Sequence, residues 1–173
     1  AAKKAQGFDD EYAIQDVFRE LLARAYREPL PEAAAEELAA RLVAEELAAE
    51  KRHVYLDPGI AAKIDSIPHE RLVCISDFYA DEAFLRELLT AAGFSKPLER
   101  VLVSCDFGVN KRSGRLFEEA EKLLGVTPAA HMHLGDNAYS DVEVPKRLGI
   151  AAERYLPAEE HKKREERERN FVG

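Results

Sequence analysis

Three short polar clusters, each closing an apolar run, hold the residue types from which phosphate chemistry is built: Cys74-Ile75-Ser76-Asp77, Ser104-Cys105-Asp106 through Lys111, and Gly135-Asp136-Asn137 through Asp141. Phosphoryl transfer needs a nucleophile, donors for the phosphoryl oxygens, and a cation that neutralises charge built up in the transfer. Ser76 can offer its hydroxyl and a nearby backbone N–H to a phosphoryl oxygen, and Lys111 the positive charge that pairs with phosphate and nucleophile. Asp136 at a strand end and Asp141 five residues later can both reach one hard cation. Magnesium suits such a pair, because it takes few carboxylates and completes its shell with water and substrate oxygens. Gly135 lets the backbone approach closely, and Asn137 counts among the substrate-binding candidates. Each residue also has a plainer role open to it: a strand-end serine caps turns, a loop lysine is solvated, and Asp141 can cap a helix and favour its dipole.

The elements that must position these groups alternate between short strands and amphipathic helices, which implies an α/β fold with a parallel sheet. In such sheets ligands bind beyond the carboxyl ends of the strands, so hydroxyl, ammonium and carboxylates are expected on one rim. Leu72 to Ile75, Val101 to Val103 and His131 to Leu134 read as strands, and Ile150 to Leu156 as a fourth. Asp81 is the expected cap of a helix carrying Phe84, Leu85, Leu88 and Leu89, with Gly93 closing it. Ser113 and Gly125 bracket a helix with Leu116, Phe117, Ala120, Leu123 and Leu124 on one face. Ser140-Asp141-Val142-Glu143 has the pattern of a capping box, but Pro145 would then sit inside the helix, so that helix begins late or kinks.

Before this region the periodicity is helical. Ile14, Val17, Phe18, Leu21, Leu22 and Ala25 form one apolar stripe, Pro29 and Pro31 end it, and a second helix runs through Leu38, Leu42, Val43 and Leu47. A short third helix is expected over Ile60 to Ile67. The expected division is therefore residues 1–68 as a helical region, 69–157 as the α/β core, and 158–173, rich in alternating charge, as a solvated helix or linker.

The chain has 173 residues, of which 46% are hydrophobic, enough to bury a core. Its formal charge of -8 argues against a nucleic-acid partner, which calls for a basic patch. No long apolar run or signal segment is visible, and Cys74 and Cys105 both fall in strands, so a reduced, cytosolic protein away from membranes is expected.

As a set, Ser76, Lys111 and the pair Asp136 and Asp141 resemble motifs two, three and four of the haloacid dehalogenase-like (HAD) superfamily. The wording Ile75-Ser76-Asp77-Phe78-Tyr79, Lys111-Arg112-Ser113-Gly114-Arg115-Leu116-Phe117 and His133-Leu134-Gly135-Asp136-Asn137 is similar to that of HAD-type hydrolases associated with glycosyltransferases. The resemblance spans Arg71 to about Pro157. It implies a Rossmann-like HAD core with a helical cap-like region before it, and a magnesium-dependent phosphohydrolase. Its partner would be a small phosphorylated substrate, by analogy a sugar phosphate. The family's first motif, an apolar strand ending in D-x-D with the nucleophilic aspartate, is absent from this chain. The sequence reading therefore expects an upstream segment to supply nucleophile and central strand, leaving this chain alone catalytically silent with an unpaired sheet edge. The alternative is a non-catalytic HAD-like module in a larger glycosyltransferase-associated protein.

Three further features stay open at this stage. Asp77-Phe78-Tyr79 could itself be a first motif, with Ser104 as the second. Cys105 is a strand-end thiol, nucleophilic only if a base activates it. His131 and His133 share one strand face, as a metal pair or as ordinary alternation.

Overall fold

The computed structural model describes residues 9–157, so the charged tail lies outside the described residues. In chain order the elements are α1 (Ile14–Ala25), α2 (Glu32–His53), α3 (Ile60–Asp65), β1 (Val73–Ser76), α4 (Glu82–Ala91), β2 (Arg100–Val103), α5 (Ser104–Phe107), α6 (Arg115–Leu124), a 3₁₀ turn (Pro128–Ala130), β3 (Met132–Gly135), a π-wound turn (Ala138–Glu143), α7 (Val144–Arg147) and β4 (Ala151–Arg154). They fall into two compact units. One combines the residues up to Leu56 with Arg71–Lys111, and the other combines Asp57–Glu70 with the residues from Arg112 onward.

In the first unit, α1 and α2 pack as a helical hairpin, joined across their faces by Arg19, whose guanidinium donates to both carboxylate oxygens of Glu36 at 2.9 Å. Pro31 immediately precedes α2, where its locked φ and missing N–H cost nothing. The apolar stripe of α1 is only half used: Leu22 is buried, whereas Val17 and Leu21 stay exposed. Ile14, Val43 and Leu47 from the hairpin close over a cluster of Ala80, Phe84 and Leu88, together with Val54, Phe78 and Tyr79. Asp81 caps α4 as its type predicts, accepting the Phe84 N–H at 2.9 Å. β1 and β2 pair in parallel with Ser76 opposite Val103, and Val101, Leu102 and Val103 are buried. Directly after β2, where only a loop was expected, one turn of helix (α5) forms and ends at Gly108, whose φ of 66° suits glycine.

In the second unit, β3 and β4 form another parallel pair, with Gly135 opposite Arg154. Leu116, Phe117 and Ala120 of α6 are fully buried there, and Ile150 nearly so. The helix α3 belongs to this unit through the Lys63–Glu153 ion pair and a hydrogen bond from the Tyr155 hydroxyl to Asp57. Among the described residues β1 pairs with β2 alone and β3 with β4 alone. The α/β class with parallel pairing stands.

Two capping expectations need correction. The residue at the start of α6 is Gly114, with φ of 88°, and Ser113 offers only a long 3.4 Å contact to the Arg115 N–H. The capping box at Ser140 does not form, because Asn137 takes the capping position and its side chain accepts from the N–H groups of Tyr139 and Ser140. The Pro145 conflict dissolves in consequence. The turn over Ala138–Glu143 is π-wound, the Val144 N–H bonds to the Tyr139 carbonyl, and α7 starts afresh at Val144, so Pro145 sits in a first turn that needs no N–H from it.

Candidate active site

The candidate residues of the first unit gather where β1 ends. Ser76 is half-buried, and strand alternation puts it on the same face as Cys74. Burial pushes the Cys74 thiol up, against an opposing pull from the charges of Lys111 and Arg86, so the Lys111 ammonium is felt on the face that carries Ser76. One residue on, the Asp77 carboxylate accepts the Lys111 backbone N–H at 2.8 Å. Ser76 and Lys111 are thereby brought to the same end of the β1–β2 pair.

The loop that presents Lys111 is also held from the chain's first described residues. Asp9 donates its N–H to the Gly108 carbonyl at 2.8 Å and accepts the Asn110 N–H at 2.9 Å. Glu11 accepts from the Asn110 side-chain amide at 2.8 Å and from the Ser104 hydroxyl at 2.6 Å. Sequence reasoning missed this strap, since acids that follow no apolar strand carry no local signal of what they bind.

Those bonds weigh on two open readings. Ser104 is fully buried, and its oxygen also accepts the Phe78 N–H at 3.1 Å, which leaves it serving the fold rather than a ligand. Asp77 is engaged by the Lys111 amide. The thiol of Cys105 is pushed up to about 12 by burial, with Asp106, Asp81 and Glu11 adding to it, so it stays a poor nucleophile at neutral pH.

In the second unit the loop after β3 is built around a buried acid. Asp141 is 2% exposed, and its oxygens lie 3.0 Å from His133 Nε2 and 2.9 Å from the Asn137 N–H that it accepts. Its own N–H returns a bond to the Asn137 carbonyl at 3.0 Å. Gly135 is required here by space: a Cβ on it would lie 2.5 Å from Asp141 Cγ. Asp136, in contrast, is exposed, and its backbone carbonyl accepts from Arg154 Nε at 2.9 Å. The structure thus brings Asp136, Asn137 and Asp141 together but gives the two acids different surroundings. Outside the loop, the Tyr139 ring lies between the guanidiniums of Arg112 and Arg147, at 5.5 and 5.4 Å.

His131 and His133 do share a face, each edge-on to Phe117, with centroids 6.0 and 4.8 Å from that ring. Each has its own acid beside it: Glu121 Oε1 lies 3.3 Å from His131 Nδ1, and Asp141 Oδ1 lies 3.0 Å from His133 Nε2. Burial and the neighbouring imidazole push His131 down to about 4, so the ring is uncharged at physiological pH and its contact with Glu121 is a hydrogen bond and not an ion pair. The strand's polarity is inverted, with His133 buried and Met132 exposed. Among the described residues no group of three or more histidines, cysteines or acids converges as a metal cage, and no helix is long and apolar enough to cross a membrane.

No protein-family model matches the chain. It is 32% identical to the phosphoserine phosphatase of Thermus thermophilus over 135 residues, which cover 78% of this chain and 53% of that enzyme. Among solved structures it is similar to the 2-haloacid dehalogenase of Pseudomonas syringae pv. tomato, with a TM-score of 0.64 and 21% identity, covering 83% of this chain and 60% of the other. The L-2-haloacid dehalogenase of Xanthobacter autotrophicus is similar with a TM-score of 0.53 and 21% identity, covering 86% and 58%. The chain therefore spans about half the length of the curated relative it matches.

Proposed function

We propose, on the premise that the chain has the haloacid dehalogenase-like fold, that it is part of a magnesium-dependent hydrolase of small phosphomonoesters. The observation that carries the reading is the loop after β3, where an exposed Asp136 follows a glycine and a buried, fully engaged Asp141 holds the loop from behind. That donor set fits magnesium in chemistry and number, since the ion accepts one or two carboxylates and completes its shell with water and substrate oxygens. Asp136 would hold it, with Asp141 behind or beside it. When bound, the ion would neutralise charge on the phosphoryl oxygens.

Ser76 would donate its hydroxyl to a phosphoryl oxygen, and the Lys111 ammonium would offset the charge of phosphate and nucleophile together. Asp77, by holding the Lys111 amide, sets where that lysine leaves the loop. Asn137, its side-chain carbonyl occupied as a cap, would turn its amide N–H₂ toward the substrate. The nucleophile is assigned to an aspartate on an upstream strand, because no D-x-D follows an apolar run in this sequence. Its carboxylate would attack phosphorus, the ester P–O bond would break, and the leaving alkoxide would take a proton from a second upstream acid. Water would then cleave the acyl phosphate and restore the carboxylate. The same strand would pair with β1, whose one partner among the described residues is β2. The helical region would select the leaving group, with a sugar phosphate or a phosphoamino acid as candidates, and the setting would be the cytosol.

The test is phosphate release from p-nitrophenyl phosphate by the protein together with its upstream segment, with and without Mg²⁺. Asp136→Asn should lower release by about 100-fold or more. Unchanged turnover in that variant excludes the metal role. Chloride release from 2-chloropropionate without added metal would instead favour dehalogenase chemistry, as in the structural neighbours named above. Silence in both assays favours the second reading, a non-catalytic module of a larger, glycosyltransferase-associated protein, which the missing D-x-D motivates.

A further inference from the structure

Arg112, Tyr139 and Arg147 lie in the second unit, all three exposed, and have no part in the chemistry proposed above. Their meeting depends on a glycine. Gly114, with φ of 88°, lets the turn after Arg112 close on the two ends of α7, where a Cβ would lie 3.5 Å from Val144 Cγ1 and 3.2 Å from Leu148 Cδ1. The same helix carries Arg147, and both guanidiniums reach the Tyr139 ring, at 5.5 and 5.4 Å from its centroid. Tyr139 is fixed in turn by Asn137, whose side-chain carbonyl accepts its N–H at 2.9 Å, so the cluster is tied to the loop that presents Asp136. Two like charges at one ring repel, and the electron-rich face offsets only part of that. Arg147 donates from Nη2 to Glu143 at 3.0 Å, whereas Arg112 makes no hydrogen bond or ion pair among the described residues. A guanidinium over a ring engages through its face and keeps the N–H groups of its edge for other partners. On a chain of formal charge -8, such a cation beside the candidate site is suited to an anion that the protein does not itself supply.

We propose that Arg112, with Arg147 beside it, selects a leaving group that carries a second negative charge, a carboxylate or a phosphate. Ser76 and Lys111 keep the transferring phosphoryl group, and Arg112 grips the far end of the molecule through its N–H fork. The hydroxyls of a simple sugar monophosphate give that fork no charge to meet. The inference rests on the hydrolase reading, but the anion site it assigns can also be read without turnover.

The experiment compares kcat/KM of the full-length protein with Mg²⁺ for O-phospho-L-serine and for glucose 1,6-bisphosphate, each as a ratio to p-nitrophenyl phosphate, whose leaving group has no second anion. Arg112→Met should lower at least one ratio by about 10- to 100-fold, through KM. A fall for phosphoserine alone assigns a carboxylate, and a fall for the bisphosphate alone a second phosphate. Lys146→Met removes an equal charge from an exposed position on α7 and should change neither ratio by more than about twofold. Unchanged ratios in a folded Arg112→Met, or an equal fall in Lys146→Met, overturn the inference and leave the hydrolase reading standing. If circular dichroism shows that Arg112→Met does not fold, Arg147→Met carries the same expectation. Silence toward all three esters removes the hydrolase reading, and calorimetry without metal, using the same phosphoserine and bisphosphate, then decides the anion site. Binding that weakens about tenfold or more in Arg112→Met but not in Lys146→Met upholds it. No binding to the wild type, or equal binding to wild type and Arg112→Met, overturns it.

Discussion

Gly135→Ala inserts one methyl group into the most crowded point of the loop after β3. The new Cβ would lie 2.5 Å from Asp141 Cγ and 2.7 Å from both its Cβ and Oδ2, so something must move by roughly 1 Å to restore ordinary contact distances near 3.5 Å. The strand backbone is tied on one side by the Tyr155 N–H to the Gly135 carbonyl at 2.8 Å, which leaves Asp141 to give way. Its retreat strains or breaks the buried contact to His133 and the part-buried one to the Asn137 N–H. Overpacking in a tight interior and the weakening of one or two such bonds together predict a loss of about 3–5 kcal/mol. Gly125→Ala is the matched control. A Cβ there meets nothing within 4 Å, but the φ of 65° is left-handed, so only the backbone penalty of about 1 kcal/mol applies. Urea unfolding followed by circular dichroism reads both. A loss at Gly135 no larger than at Gly125 would refute the reasoning, because it would mean that Asp141 can move without cost.

Two further outcomes follow from the titrating groups. His131, at about 4 in the fold, releases its proton where the unfolded chain still holds one, so stability falls as pH drops from about 6.5 toward 4, by up to about 3 kcal/mol. Glu121 is raised by burial and slopes the other way, so the contribution of His131 is read as the difference between wild type and His131→Gln; identical pH profiles would contradict it. Cys105, pushed up to about 12, should react with a disulfide reagent at pH 8 at least about tenfold more slowly than free cysteine in a Cys74→Ser background, and fast stoichiometric labelling of the native protein would count against that environment.

Periodicity and turn chemistry placed each of the four described strands to within one residue at its start, and Asp81 as a cap, because those signals are local: short apolar or alternating runs and an acid three residues before an amide. The cap at Asn137 escaped because Ser140 and Glu143 offered a better pattern three residues later, whereas the turn winds from Asn137 and Pro145 falls in the first turn of the helix that follows. Ser76, Lys111, Asp136 and Asp141 were legible as types and order. What the sequence could not say is that Asp136 is exposed while Asp141 is buried against His133, since burial of a carboxylate depends on a partner eight residues back on a neighbouring strand. The strap from Asp9 and Glu11 onto Asn110 was beyond reach for the same reason, being a contact between residues about a hundred positions apart.

Two ladders of two parallel strands each are a demanding way to begin a sheet. Every rung joins segments separated by a whole helix, so neither ladder can close before its crossover has folded, and β1 and β3 each offer a second row of amides and carbonyls with no ladder mate among the described residues. Such rows are templates. During synthesis or refolding they will recruit whatever extended segment arrives first, whether the intended one or a neighbour's, and the yield of this protein should depend on that race as much as on any equilibrium.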